Sequence, residues 1–262
     1  MRWVHALGLA VLLISSKASA GPPYTTDDPE PVEYHHWELY LGSQTSHDKG
    51  GWTGTAPHIE ANYGPVPNVQ LHFIAPLAYS APNDGIAHYG SGDTELGVKF
   101  RFVQERKWIP MIGTFAMLEV PSGLRSAGLG NGSAQVFLPV WLQKSFGAWQ
   151  SYGGVGVWMD LANRDRHWWY FGWQVQRRIF PWLTVGAEVF HETPTERGAA
   201  SPTRFNVGAV FDVTDEHHLL FSCGRGLPGS TLFQGYVAYQ LTFGSQDAGE
   251  SGSRFAPAQP LK

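Results

Sequence analysis

The sequence predicts an all-β fold, a closed antiparallel up-and-down transmembrane β-barrel of about twelve strands. Three observations predict it: a two-residue alternation of apolar and polar side chains, a low content of charged residues, and connections that alternate in length. The clearest alternation lies in the stretch 92–102. Successive side chains of a strand point to opposite faces. One face here is apolar and consists of Leu96, Val98, Phe100 and Phe102. The opposite face carries ionisable groups and consists of Glu95, Gly97, Lys99 and Arg101.

The composition favours a membrane barrel over a soluble β-sandwich, which the alternation alone would also allow. Charged residues make up 15% of the 262 residues, against roughly 25% in soluble domains, and the chain has 31 Gly and 11 Trp. A barrel that shows lipid a broad apolar band needs fewer charges than a soluble surface does. The net charge of -4 argues against nucleic-acid binding, and the single Cys223 excludes an intrachain disulfide framework.

The two ends of the chain differ from its middle. Residues 1–20 are predicted to be a secretory signal peptide, with a short apolar run and a small-residue cleavage site, and that run is too short for a transmembrane helix. Residues 21–34 are predicted to be an irregular segment that faces the periplasm or the lumen. Its acids would either lie in water or the lumen, or bind a cation: Asp27, Asp28, Glu30 and Glu33. Residues 35–243 are the predicted barrel, and 244–262 a disordered tail.

The first six strands are predicted at 35–46, 53–63, 68–79, 92–102, 109–121 and 133–145. The second is identified by a polar face of His58, Glu60 and Asn62. The others have a clear apolar face, formed by Trp37, Leu39 and Leu41 in the first, Val69, Leu71 and Phe73 in the third, Ile112, Ala116, Leu118 and Val120 in the fifth, and Val136, Leu138, Val140 and Leu142 in the sixth.

The remaining six strands are predicted at 149–161, 167–179, 182–193, 203–213, 217–225 and 231–243. The seventh is rich in Gly and its faces are poorly defined. Lengths of about eleven residues match a tilted membrane strand. The apolar faces carry Trp169, Phe171, Trp173 and Val175 in the eighth, Leu183, Val185, Ala187 and Val189 in the ninth, Phe205, Val207, Ala209 and Phe211 in the tenth, Leu219 and Phe221 in the eleventh, and Val237, Tyr239, Leu241 and Phe243 in the twelfth.

The connections predict the orientation of the barrel. Those after odd strands are longer and rich in Gly or polar residues, and those after even strands are short, which is typical of outside loops and periplasmic turns. An even strand count then places both termini on the periplasmic side. Aromatic residues near the short turns predict a belt at one membrane interface: Tyr63, Trp108, Phe146, Trp149, Phe180, Trp182 and Phe243.

The inward positions are expected to line a narrow lumen, because twelve strands lie between eight-stranded barrels, which side chains fill, and wide channels of about 16 strands. Acids and bases are mixed there, so we expect ion pairs, with Glu95, Lys99 and Arg101 pairing with Glu60 or Glu119. Such a lumen would either stabilise the barrel or form a constriction that selects solutes. The predicted residues of the lumen and solute path are Glu38, His58, Glu60, Gln70, His72, Glu95, Lys99, Arg101, Glu119, Gln143, Gln174, Arg178, Glu188 and Gln240.

Six segments resemble the bacterial family labelled "MetA-pathway of phenol degradation": GPPYTTDDPEPVEY, YGSGDTELGVKFRF, LGNGSAQVFLPVWLQKS, FGWQVQR, HHLLFSCGRG and AYQLTFG. The resemblance covers most of the chain after residue 20. It implies an outer-membrane β-barrel of the kind often called a transporter, and its label implies passage of small aromatic compounds. It supplies neither functional residues nor a catalytic motif.

The predicted function is passive transport of small solutes, with aromatic or hydrophobic compounds as candidates, in the outer membrane of a Gram-negative bacterium. One alternative is a non-conducting structural or receptor-like barrel whose lumen is plugged by the acidic segment or the long loops. Another is an outer-membrane enzyme of lipase or deacylase type. We do not expect an enzyme, because no Ser stands beside a His at the spacing found in barrel phospholipases.

The expected partners are the lipid bilayer, the barrel-assembly machinery and a small-molecule solute, and not nucleic acid. The sequence has no Gly-rich phosphate-binding motif and no Cys/His zinc spacing, so we predict neither a cofactor nor a metal. The histidine pairs 35–36 and 217–218 are expected to lie at the membrane interface.

Overall fold

The computed structural model describes residues 22–162, 167–195, 201–227 and 231–244. The predicted signal peptide and nearly all of the predicted tail therefore lie outside the described residues. A 3₁₀ turn, Arg125–Ala127, interrupts a loop. The strands are β1 His36–Asp48, β2 Gly51–Val66, β3 Val69–Pro82, β4 His88–Ser91, β5 Thr94–Val103, β6 Met111–Val120, β7 Gln135–Phe146, β8 Trp149–Asp160, β9 His167–Phe180, β10 Leu183–Glu192, β11 Thr203–Asp212, β12 His217–Leu227 and β13 Thr231–Gly244.

The strands form one antiparallel sheet that closes on itself. Apart from β4 and β5, each strand pairs with its neighbours in the chain, and β1 also pairs with β13, with Leu39 opposite Leu241. Both β4 and β5 pair with β3, so they are two parts of one wall strand, and the prediction of a closed twelve-stranded barrel is confirmed. The break falls at Gly92, whose N–H donates to the carbonyl of Pro76 at 3.0 Å.

Two predicted loops are partly strand. The Gly-rich loop predicted after the first strand is a tight turn at 49–50, because β1 extends to Asp48 and β2 begins at Gly51. The Asp48 carboxylate accepts the N–H of Gly50 at 2.6 Å, and Gly51 has a φ of 137°, which favours glycine. The predicted long loop 81–91 contains β4. The first connection, at 49–50, is therefore short where a long one was expected. The clearest long connection is 121–134.

The outer surface of the barrel is apolar. Leu96, Val98 and Phe100 are each 44% exposed, whereas Lys99 between them is buried. This pattern excludes a soluble sandwich, in which the apolar face would be the buried one. An outward apolar band around a closed sheet is the surface that a lipid-facing barrel requires. No helix in the described part of the chain is long and apolar enough to cross a membrane.

The aromatic residues predicted to form a belt lie at one edge of the barrel, beside the short turns. Phe146 and Trp149 flank the turn at 147–148 and are exposed, and Phe180 and Trp182 stack with their ring centroids 5.3 Å apart. Trp108 is 85% exposed in the connection 104–110. Rings of this kind are typical of the headgroup level of a membrane.

Candidate functional site

Residues 22–34 run through the inside of the barrel; we call them the N-terminal segment. The segment contacts side chains from strands on all sides of the ring, which a chain outside a closed wall could not do. It joins β1 beside the short-turn edge, where the N–H of His35 donates to Gly64 at 2.8 Å. Its contacts are with Gln70 on β3, Lys99 on β5, Gln143 on β7, Tyr170 on β9, Glu188 on β10 and Ser222 on β12.

A buried ion pair holds the middle of the segment. The Nζ of Lys99 lies 2.9 Å from Oδ1 of Asp27 and 3.7 Å from Oδ2 of Asp28. Lys99 is also 5.0 Å from the ring centroid of Phe115. The expected pairing of Lys99 with Glu60 or Glu119 is therefore wrong, because two carboxylates of the segment lie at its ammonium group.

The other basic residue of that stretch also lacks its expected partner. Arg101 donates from two nitrogens to Oδ1 of Asn68, at 3.0 and 2.9 Å. Glu60 accepts from the side-chain amide of Asn62 at 2.8 Å and lies 3.7 Å from His72. The inward face of the strands therefore uses short-range polar contacts, and the long cross-lumen ion pair comes from the segment.

Glu188 anchors the backbone of the segment. Its two oxygens accept the N–H groups of Thr25 and Thr26 at 2.8 and 2.7 Å, and Oε1 also accepts from Asn206 at 2.6 Å. The hydroxyl of Thr26 lies 3.0 Å from that of Tyr170. A carboxylate that accepts several N–H bonds in a buried place is a strong acceptor, so Glu188 fixes the height of the segment in the lumen.

Two further contacts hold the lower half of the segment. The side-chain amide of Gln143 donates to Oε2 of Glu30 at 2.8 Å, and Oε1 of Gln70 accepts the N–H of Val32 at 2.9 Å. Thus predicted lumen residues on four different strands hold the segment: Gln70, Lys99, Gln143 and Glu188.

Glycines on the wall make room for Tyr24. A Cβ atom on Gly186 would lie 2.7 Å from the Tyr24 hydroxyl, and one on Gly208 would lie 3.1 Å from its ring. These two glycines face each other across β10 and β11. The alternation in the sequence gives no sign of this need for space, which appears only when the segment is in place.

Above the segment lies a vestibule of about 690 Å³, at the edge of the barrel with the longer loops. Of the predicted residues, His58, Glu60, Glu95 and Glu119 line it. The loop 121–134 folds over its rim, held by Asp93, which accepts N–H bonds from Gly123 at 2.8 Å and from Asn131 at 2.6 Å.

The remaining predicted residues lie in contacts within the wall. Glu38 accepts from the Tyr40 hydroxyl at 2.9 Å, and the same hydroxyl accepts from Gln240 at 2.8 Å. The Nδ1 atom of His72 lies 2.7 Å from Asn62, and Gln174 donates to Gln176 at 3.2 Å. Arg178 is half-buried near the short-turn edge. The structure does not bring these residues together with the vestibule.

Part of the lumen is apolar, which the expectation of a polar interior missed. A cluster of buried rings lies inward on β6, β7, β9 and β10, and one of its pairs is Tyr170 and Phe190, with ring centroids 5.9 Å apart. The sequence shows which side chains face inward, but it does not show that some of them pack against one another in a buried cluster. The members are Phe115, Phe137, Trp141, Tyr170 and Phe190.

Burial raises the pKa of two acids of the segment. It raises the pKa of Glu30, an effect that the hydrogen bond from Gln143 and the charges of Arg101 and Lys99 oppose. Burial also raises the pKa of Asp28 well above its ordinary value, against the attraction of Lys99. These carboxyls therefore bind protons more readily in the lumen than they would in water.

The described residues contain no group of three or more His, Cys, Asp or Glu side chains that could hold a metal ion. A Ser–His contact does occur, where Oγ of Ser201 lies 3.1 Å from Nε2 of His191. The hydroxyl of Ser201, however, donates to the carbonyl of Glu192 at 2.9 Å. The other ring nitrogen of His191 contacts the hydroxyl of Thr203. The Glu192 carboxylate pairs with Arg204. This arrangement lacks the acid that orients the base in a catalytic triad.

No protein-family model matches the chain and no curated protein matches it, so membership of the phenol-degradation family stays a prediction. Solved structures are similar in fold. The COG4313 outer membrane channel from Pseudomonas putida F1 has a TM-score of 0.69 and 15% identity, over 82% of this chain and 98% of that one. The KdgM porin in complex with disordered oligogalacturonate has a TM-score of 0.55 and 9% identity, over 79% and 99%.

The translocator domain of the autotransporter NalP from Neisseria meningitidis is similar as well, with a TM-score of 0.51 and 8% identity, over 79% of this chain and 88% of that one. At such identities the likeness shows the fold alone. Because a porin and an autotransporter translocator share this architecture, the function has to be argued from the lumen.

Proposed function

We propose that the protein is an outer-membrane channel that passes small solutes passively, and that the N-terminal segment controls the narrowest part of the path. The vestibule carries this proposal: it is a polar, water-accessible space of about 690 Å³ at one mouth of a closed barrel, and its floor is the segment. The apolar outer band and the aromatic belt support placement in a membrane.

The carboxyl groups of the vestibule favour cations and neutral solutes when they are ionised. Glu60, Glu95 and Glu119 line it. Arg204 is the one Arg or Lys among its described lining residues, and it pairs with Glu192. A ring of acids at a channel mouth raises the local concentration of cations and repels anions.

Passage of aromatic compounds is the narrower form of the proposal, and its support is the family resemblance. The vestibule also offers rings to such a solute, since Tyr79, Phe190 and Tyr236 line it. Offset or edge contacts between rings would add to the affinity for a phenol.

A non-conducting barrel is the second candidate, favoured by one observation. The segment crosses the lumen below the vestibule and is held there by a buried ion pair and by Glu188. If the segment never moves, the vestibule is closed at its inner end and the barrel does not conduct.

Solute flux separates the two candidates. Purified protein in liposomes should admit small cations and neutral compounds in swelling assays, with phenols, sugars and ions compared side by side. Planar-bilayer recordings should show conductance with a preference for cations. Absence of both flux and conductance would leave the non-conducting barrel.

A further inference from the structure

The outer wall of β8 to β12 carries an unbalanced positive charge. None of the outward positions of these strands carries Asp or Glu, since their acids lie on the inward side. Arg177 is exposed and faces outward from β9 between Val175 and Ile179. Its guanidinium lies 5.1 Å from the ring centroid of Trp149. Among the described residues, no carboxylate lies within ion-pair distance of Arg177.

Arg177 lies at the height of a headgroup. It stands four residues before the turn at 181–182, so it lies roughly 13 Å along the strand from the short-turn edge, and less than that in depth because barrel strands are tilted. Phe180 and Trp182 of the aromatic belt flank the same turn. An arginine at this depth is costly in hydrocarbon but finds lipid phosphates within reach.

An apolar groove of about 820 Å³ runs from Arg177 across the outer wall. The register places Arg177 beside Val185, Val185 beside Ala209, and Ala209 beside Phe221, so the groove crosses three strand spacings, or roughly 14 Å. Ala187 adds a second short side chain to the groove. Short side chains here leave a depression in the wall.

We propose that this groove binds one glycerophospholipid of the leaflet beside the short turns. Its phosphate would accept hydrogen bonds from the Arg177 guanidinium, which gives planar paired donation to phosphate oxygens. The Trp149 ring would cover the glycerol region. One acyl chain would lie along Ala187 and Ala209 and end against Phe221. The inference rests on the membrane placement proposed above, and it does not depend on conduction.

The test measures lipid retention on the purified full-length barrel. Native mass spectrometry of the protein titrated with phosphatidylglycerol should show one molecule retained under conditions that strip the others. R177Q should weaken that first binding event roughly tenfold, since a hydrogen bond to a charged group contributes on that order. R177K should restore part of it, because an ammonium attracts phosphate without the paired geometry.

Arg225 provides the matched control. It is an exposed, outward cation on β12, nearer the opposite edge of the barrel, and it lies two residues beyond Cys223 without lining the groove. R225Q should leave the first lipid in place, whereas A209F, which fills the groove and keeps Arg177, should lower its retention.

Equal retention by R177Q and wild type, or equal loss in R177Q and R225Q, would overturn the proposal. Heat-modified migration in gels confirms that each variant is folded. A barrel that retains the lipid but conducts nothing would refute the channel and leave this inference standing.

Discussion

Replacing Lys99 with Met is expected to release the N-terminal segment. The ammonium group of Lys99 is buried and lies near two carboxylates of the segment, at 2.9 and 3.7 Å. Met keeps the length and apolar stem of the side chain but removes its charge. Asp27 and Asp28 would then face a closed lumen without the cation that compensates them.

The magnitude follows from the burial of the pair. Removing one partner of a buried ion pair costs about 3–5 kcal/mol. Asp27 retains partial exposure, with 20% of its side chain accessible, so the lower end of that range applies. A cost of about 3 kcal/mol corresponds to roughly a 100-fold shift in the equilibrium between the docked and released segment.

Cysteine accessibility measures that shift. Thr26 is fully buried in the docked segment, so Thr26→Cys, in a background where the exposed Cys223 is Ser, reports release through its reaction with a water-soluble maleimide. The K99M variant should label roughly 100-fold faster than the same background with Lys99.

Lys144 supplies the control, because it makes an ion pair of similar length, 2.7 Å to Glu105, in which neither partner belongs to the segment. That pair is partly exposed and contributes at most about 1 kcal/mol, so K144M should leave labelling unchanged. Equal labelling rates in K99M and its parent would refute the claim that this ion pair holds the segment.

Three further predictions concern the acids of the vestibule, the pH dependence of segment docking and the outer face of the barrel. The double variant E95Q/E119Q should lower the preference for cations in reversal-potential measurements at alkaline pH, because it removes two carboxyl groups from the vestibule; an unchanged reversal potential would mean that those acids do not line the solute path. Since burial raises the pKa of Asp28 and Glu30, the docked segment binds more protons than the free one between the ordinary carboxyl pKa of about 4 and the raised values. Docking should therefore weaken as pH rises through that window, and labelling should quicken relative to labelling of the denatured protein at the same pH, which corrects for the pH dependence of the thiolate itself; the opposite trend in this ratio would contradict it. Val98→Arg should destabilise the barrel by about 2–4 kcal/mol in denaturant unfolding from lipid vesicles, and a neutral outcome would mean that this face does not meet lipid.

Strand parity could be predicted from the sequence because it depends on neighbours in the chain. The alternation of Leu96 and Val98 with Lys99 assigns each side chain to a face, and the structure leaves the first two exposed and buries the third. Ring closure followed from the same pattern, since an apolar outer surface in lipid requires every backbone group to be paired.

The path of residues 22–34 could not be predicted in the same way. The segment has no hydrophobic period, and its position depends on Lys99 and Glu188, which lie far away in the chain. The strand alternation places Glu60 and Glu119 on the same inward face as Lys99, so the partner of Lys99 was predicted there. The actual partner, Asp27, belongs to the segment and reaches Lys99 through the lumen. The apolar cluster around Trp141 was missed for a related reason: facing inward does not determine whether a side chain lines open space or packs against other side chains.

Conductance of the barrel with and without its N-terminal segment tests the central claim most directly. Deleting residues 22–32 removes the contacts with Lys99, Gln143 and Glu188 and leaves every strand intact. The account predicts a larger single-channel conductance for the deletion than for the full chain in the same bilayer, with heat-modified migration showing that both are folded. Equal conductances, or none in either protein, would contradict it.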